Sequence, residues 1–345
     1  MKLLMNYFRD LLHAIRSGWN HFWFTPQDPA TLSLIRIATG AMLFYTHLVW
    51  TSQSENFFGP NAWLNREAVS ATGGYRFHFT PFWPAEATGT VWLLHGFTLA
   101  ACAALMCGFQ TRLASICAWF MTISYAHRLP TALYGLDQVN GFLSMYLMFG
   151  DCGARYSIDA IIKKRKFADS AVLSNVRGTV GTNISIRLIQ VHLCVLYFFA
   201  GISKLQGETW WDGTALWGAI ANLEYQTIDL TWMVNHPRLI NLLTHATIVW
   251  EILYCATIWN RHTRPVTLFM AVPVHLGIAF SFGMVTFGTI MLVANSAFVS
   301  PLLVRSLFER NPFPAEGLGE ESLRVIPRPK MLERSRERAG LNQFR

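Results

Sequence analysis

Residues 265–304 read PVTLFMAVPVHLGIAFSFGMVTFGTIMLVANSAFVSPLLV, 40 positions without one Asp, Glu, Lys or Arg. A helix rises 1.5 Å per residue, so this run laid straight would extend about 60 Å, twice the thickness of a bilayer's hydrocarbon core. It therefore predicts two membrane helices that fold back on each other near Ser281-Phe282-Gly283. Working outward, the same reading recurs. Residues 239–260 carry one charge, Glu251, and 129–150 carry one, Asp137. Sixteen uncharged residues separate Arg187 from Lys204, and the stretches 113–127, 90–109 and 37–54 hold no charge. The sum is an all-α polytopic bundle of eight spans.

Composition agrees. Of 345 residues, 52% are hydrophobic and 14% charged, against about a quarter charged in a soluble domain. That excludes an ordinary soluble enzyme and a disordered chain, and it argues against a nucleic-acid partner despite the net charge of +8. The lipid bilayer is the expected partner. Six cysteines, with no C-x-x-C pair, read as small buried hydrophobes. No His/Glu pair has ligand spacing, so no metal is expected.

Arginine and lysine orient the bundle. With the N-terminus inside, the cytoplasmic segments receive Lys2, Arg9, Arg16, Arg112, Arg155, Lys163, Lys164, Arg165, Lys166, Arg177, Arg261 and Arg264, and the tail after 304 adds nine more. The opposite side receives Arg66, Arg76, Arg128 and Arg238, while 205–237 has four acids and no base. This asymmetry is that of the positive-inside rule, with both termini cytoplasmic. Residues 1–30 place Leu4, Phe8, Leu11, Leu12, Ile15, Trp19 and Phe22 at helical spacing between basic residues, which predicts an amphipathic helix lying on the membrane surface. The expected organisation is that helix and entry (1–30), a transmembrane domain (31–304) and a charged, partly disordered cytoplasmic tail (305–345). The expected location is a bacterial inner membrane.

Ionisable residues within spans mark function or pair with each other. Of six lysines, Lys204 alone lies toward the non-cytoplasmic face. It either snorkels to the interface beside Trp210 and Trp211, or is a desolvated amine able to act as a general base. Asp137 starts its span and caps the helix or lines a pocket. Glu251 sits mid-span, where a carboxylate must be protonated or paired. His275 follows Pro273 within a span and is a candidate cavity residue.

The run YFFAGISKLQGETWWDG (197–213), which opens on Tyr197, resembles the Y-x-x-A-G-x-x-K-L…W-x-x-G segment of the HTTM family. That family takes its name from the transmembrane domain shared by vitamin K-dependent gamma-carboxylase and many bacterial proteins. HRLPTALYGLD (127–137) resembles the family's H-R-N-P-x-x-x-N-G-G-D motif, with Arg128, Pro130, Gly135 and Asp137 in place and Leu129, Tyr134 and Leu136 substituted. VHLGIAFSFGMVTFGTIMLVANSAF (274–298) and the acidic Glu251 are further matches.

The resemblance implies a role for Lys204. In the carboxylase the matching lysine deprotonates reduced vitamin K, whose reaction with oxygen drives removal of a glutamyl gamma proton and addition of carbon dioxide. The carboxylase's helper histidine has no counterpart before the fourth span, where Leu136 and Asp137 stand. The carboxylase also carries a large extramembrane domain for its protein substrate, whereas this sequence runs about 40 residues past its last span.

The first functional expectation is a carboxylase-like enzyme. It would use a reduced quinone of vitamin K or menaquinone type at the non-cytoplasmic face. Lys204 would be the base, with Arg128, Asp137, Tyr197, Glu251 and His275 lining the pocket. The alternative is a non-catalytic scaffold or a maturation and export factor for a secreted peptide. Its docking surface would be the 205–237 loop, with its four acids and Trp210, Trp211, Trp217 and Trp232. No oligomeric state follows from either expectation.

Overall fold

The structure, a computed structural model, describes residues 2–71, 79–85, 87–166 and 176–309. Arg76 and the tail from residue 310 onward, Lys330 included, lie outside the described residues. Met1–Val304 form one unit, which holds all the helices of the bundle, and a second unit begins at Arg305. Among the described residues there is no β-strand, only an isolated bridge between Gln27 and Thr179.

Ten helices carry the architecture: α1 (Lys2–Phe24), α2 (Ala30–Trp50), α3 (Thr88–Cys107), α4 (Thr111–Arg128), α5 (Gly135–Leu147), α6 (Ile158–Lys166), α7 (Val180–Lys204), α8 (Pro237–Thr257), α9 (Arg264–Ser281) and α10 (Val285–Asn295). A helix stands at each of the eight charge-poor segments. Five of them are long and apolar enough to cross a membrane: α2, continued to Phe58, and α3, α7, α8 and α9. A sixth is added if Val285–Phe298 and Pro301–Phe308, a bent pair, make one span. Only 22% to 56% of the residues in the apolar windows of the five are buried inside the protein. The rest of that apolar surface, including Leu93, Phe199 and Phe269, faces outward, as lipid requires.

Helix boundaries have local causes. Thr179 starts α7, its hydroxyl accepting from the Thr182 amide at 3.2 Å. Proline occupies the first turn of α8 and of α9, where its missing N–H costs nothing. The long uncharged run breaks after Ser281, and Gly283 takes a left-handed φ of 67° before α10 starts. Residues 129–134 hold a short 3-10 turn at Pro130–Ala132, so α5 is only 13 residues long.

Lipid gives apolar helices no hydrophobic reason to associate, so packing and interhelical hydrogen bonds must hold the bundle. Helix α7 packs along α8, α9 packs back on α10, and α2 packs on α3 and α5. Their shared core includes Leu32, Leu43, Leu105, Leu143, Ile189, Leu193, Tyr254 and Ile290. At one end, the fully buried Arg36 donates to the carbonyls of Leu105 (3.1 Å), Met106 (3.3 Å) and Tyr156 (2.6 Å). Gly108 ends α3 at φ 69°, and a side chain there would collide with the Arg36 guanidinium. Asp159 of α6 then caps α4 from outside the helix, accepting from Gln110 N (2.9 Å), Thr111 N (2.8 Å) and Thr111 Oγ1 (2.7 Å).

Helix α1 is anchored at its C-terminal end. Asn183 Nδ2 donates to the Phe22 and Trp23 carbonyls at 2.8 Å each, and the Arg187 guanidinium lies 4.4 Å from the Phe22 ring. Its other apolar residues, Leu4, Phe8, Leu12, Ile15 and Trp19, are exposed.

Candidate functional site around Lys204 and Glu251

The site grows from the A-G-x-x-K spacing in α7. A methyl group at Gly201 would stand 2.7 Å from Ile252 Cγ1, 3.1 Å from the Ile252 amide nitrogen and 3.2 Å from Glu251 Cβ. Only a glycine allows α7 to approach α8 this closely. Lys204, three residues on, shares that face of the helix. Its Nζ consequently reaches Glu251, 3.0 Å from Oε1 and 2.7 Å from Oε2, and also lies 3.4 Å from the Ala200 carbonyl.

The pair is neither dry nor open: the side chains keep 23% and 11% of their surface for Lys204 and Glu251. The Trp210 ring covers the amine at 5.4 Å, within cation–π range. The mid-span carboxylate is thus paired, and its partner is the lone lysine. His245 is turned away, with Nδ1 2.9 Å from the Asn241 carbonyl.

Two turns back along the same face of α7, Tyr197 is the hub of a buried polar network. Asn295 of α10 donates from Nδ2 to Tyr197 Oη at 2.8 Å and to the Met291 carbonyl at 2.8 Å. Tyr254 of α8 donates to Asn295 Oδ1 at 2.7 Å. Tyr197 Oη, which accepts from Asn295, also pairs with His275 Nε2 of α9, 2.6 Å away. With the Tyr197 hydroxyl as donor in that pair, the imidazole proton sits on Nδ1, which is buried and has no hydrogen-bond partner among the described residues. Trp250, the neighbour of Glu251, packs edge-on against Tyr197 at 5.0 Å and links this network to the ion pair.

The expected site residues therefore divide. Lys204, Glu251, Tyr197 and His275 gather where α7, α8, α9 and α10 meet. Arg128 is buried elsewhere, donating to the Leu64 (2.9 Å) and Gly59 (3.4 Å) carbonyls, with its guanidinium 4.8 Å from the Trp83 ring. Asp137 accepts from the Tyr134 amide at 3.1 Å, so it caps α5. Asn295, Tyr254 and Gly201 were not among the expected residues. Asn295 is a lone carboxamide in the 40-residue uncharged run, which was the available signal. Among the described residues, no three His, Cys, Asp or Glu side chains come together as metal ligands.

A helical chain with several membrane-crossing helices and a lysine–glutamate pair between two of them is a multi-pass membrane protein. Residues 24–302 match the HTTM domain. The chain belongs to the HTTM family and is a membrane protein related to the transmembrane domain of vitamin K-dependent gamma-carboxylase. No curated protein and no solved structure matches it.

Proposed function

We propose that the protein is a membrane enzyme acting on a lipid-soluble quinol, of reduced vitamin K or menaquinone type, with Lys204 as general base. The observation that carries this reading is the Lys204–Glu251 pair, set beside a buried network that ends in an unpartnered ring nitrogen, His275 Nδ1. An amine accepts a proton only after losing one. Glu251 Oε1, which accepts the hydrogen bond from Nζ at 3.0 Å, is the acceptor in reach. Transfer of one proton from Nζ to the carboxylate leaves a neutral amine and a neutral acid, and closing the site to water favours that neutral pair over the separated charges.

In this reading a quinol would be held by His275, whose buried Nδ1 would donate to a ring oxygen, and by Lys204, whose neutral amine would accept a phenolic proton. The quinol, when bound, supplies that proton and its reducing electrons. Glu251 would hold the amine in place, and the Tyr197 hydroxyl, donating to Nε2, would keep the His275 proton on Nδ1. The test is oxygen-dependent oxidation of reduced menaquinone by the purified protein. Turnover in the native protein that is lost in a folded Lys204→Ala variant supports the reading; unchanged turnover in that variant removes Lys204 from the mechanism.

The same proposal includes eight spans, with both termini and the basic segments cytoplasmic, in a bacterial inner membrane. It divides the chain into 1–30, 31–304 and 305–345, with α1 lying in the membrane interface. Support comes from a helix at each charge-poor segment and from the exposed apolar residues of α1 between Arg9 and Arg16. Lys204 and the 205–237 loop then face the non-cytoplasmic side.

One observation favours a second reading, a scaffold or maturation factor for a secreted peptide. Trp211, Leu223, Tyr225 and Trp232 are exposed on a loop with four acids and no base, a surface that suits a basic amphipathic peptide. Co-purification of such a peptide, lost when the loop is replaced by a neutral linker, would support it.

A further inference from the structure

A second buried polar group lies between α2, α4 and α5, apart from the Lys204 site. A cavity of about 30 Å³ is walled by Leu43, Trp50, Ile123, Ala126 and Leu133, and into the same cavity come His47, Asn140 and Asp137. His47 and Asn140 are 2% and 1% exposed, and His47 Nδ1 and Asn140 Oδ1 have no hydrogen-bond partner among the described residues. The neighbours cannot satisfy them. Trp50 and Tyr125 meet the His47 ring through their faces and edges, at centroid distances of 5.0 and 4.5 Å. The hydroxyls of Thr46 and Thr122, also in the wall, already donate to their own helices at Met42 (2.9 Å) and Ala118 (2.8 Å).

Two buried unsatisfied polar atoms at one small cavity are costly unless something supplies both a donor and an acceptor. A water needs about 10–15 Å³ of such space and two to four polar partners, so the volume admits one or two. We propose that this cavity is a water-binding site in which one or two ordered waters donate to Asn140 Oδ1 and bond His47 Nδ1. The same waters reach the Asp137 carboxylate, one of whose oxygens, Oδ2, is engaged by Tyr134 N. They join the acid that caps α5 to the imidazole in α2 by hydrogen bonds, and so tie these two helices together through their polar side chains.

The test has two arms on the full-length protein in lipid nanodiscs. An experimental map that resolves ordered water should show density within about 3.2 Å of both His47 Nδ1 and Asn140 Oδ1. An empty cavity, or either side chain turned to a protein partner, overturns the proposal. In the second arm, Asn140→Leu expels the water and strands His47, so the melting temperature should fall by about 3 °C or more. A dry cavity would give the opposite sign, because leucine would fill space and remove an unsatisfied oxygen. If the leucine variant does not fold, Asn140→Ser decides: it keeps a hydroxyl and room for water and should melt within about 2 °C of the native protein, whereas enlarging a dry cavity would lower the melting temperature further.

Discussion

Lys204 and Glu251 replace water for each other at the junction of α7 and α8, and the close approach at Gly201 makes this possible. Removing one partner leaves a charge in a poor solvent, so Lys204→Met and Glu251→Leu should each destabilise the protein by about 2 kcal/mol or more, whereas the double variant should lose less than the sum. Thermal unfolding of the four proteins in nanodiscs measures this cycle; strict additivity would mean that the pair does not interact. Gly201→Ala should cost about 1–3 kcal/mol by forcing α7 off α8, and a variant as stable as the native protein would contradict that packing. The sequence exposed both ends of the pair, since Lys204, expected to be the lone lysine toward the non-cytoplasmic face, and Glu251, the lone charge within 239–260, were each conspicuous. It did not show that they meet. Partner choice depends on the rotation of two helices joined through the long 205–237 segment, and charge-poor runs carry little rotational signal. The Tyr197–His275 contact was hidden for the same reason.

At the scale of elements, the caps decide where helices begin. Asp159 in α6 serves the N-terminus of α4, forty-eight residues away in sequence from Thr111. Burial works to raise its pKa, but the bonds from Thr111 and Gln110, with the nearby Arg36 charge, outweigh this and hold it below the ordinary 3.8. A carboxyl whose folded pKa is depressed contributes stability above the unfolded value, and that contribution is lost as pH falls through the folded value. Asp159→Asn should therefore lower stability by about 1 kcal/mol at neutral pH and flatten the loss of stability below about pH 4. Melting curves from pH 3 to 7 check both, and equal slopes for the two proteins would contradict the cap.

Helix positions were legible because a long uncharged run predicts a membrane helix, and a helix stands at each such segment. Their ends were less so. Helix α7 begins seven residues before Arg187, because that guanidinium is satisfied by the Phe22 carbonyl (3.3 Å) and Gln190 Oε1 (2.9 Å) and need not end the helix. Helix α5 is shorter than its charge-poor segment because Pro130 begins a separate turn.

For the whole molecule, the proposed topology of eight spans with cytoplasmic termini would place 158–166 and 205–237 on opposite sides of the membrane. A membrane-impermeant maleimide applied to intact cells should label Glu224→Cys and spare Lys164→Cys until the membrane is opened; the reverse pattern would invert the topology. Under the proposed function that sidedness would locate the chemistry, since a quinol reaching Lys204 would enter from the lipid at that end of the bundle. The most direct measurement is an experimental structure of the protein extracted from native membrane with its quinones retained. A flat, tailed ligand whose ring oxygen lies within about 3 Å of Lys204 Nζ, with His275 Nδ1 donating to the same molecule, is the expected result. A quinone bound elsewhere, with Nζ still held by Glu251 and the region around His275 filled by protein, would contradict the enzymatic account.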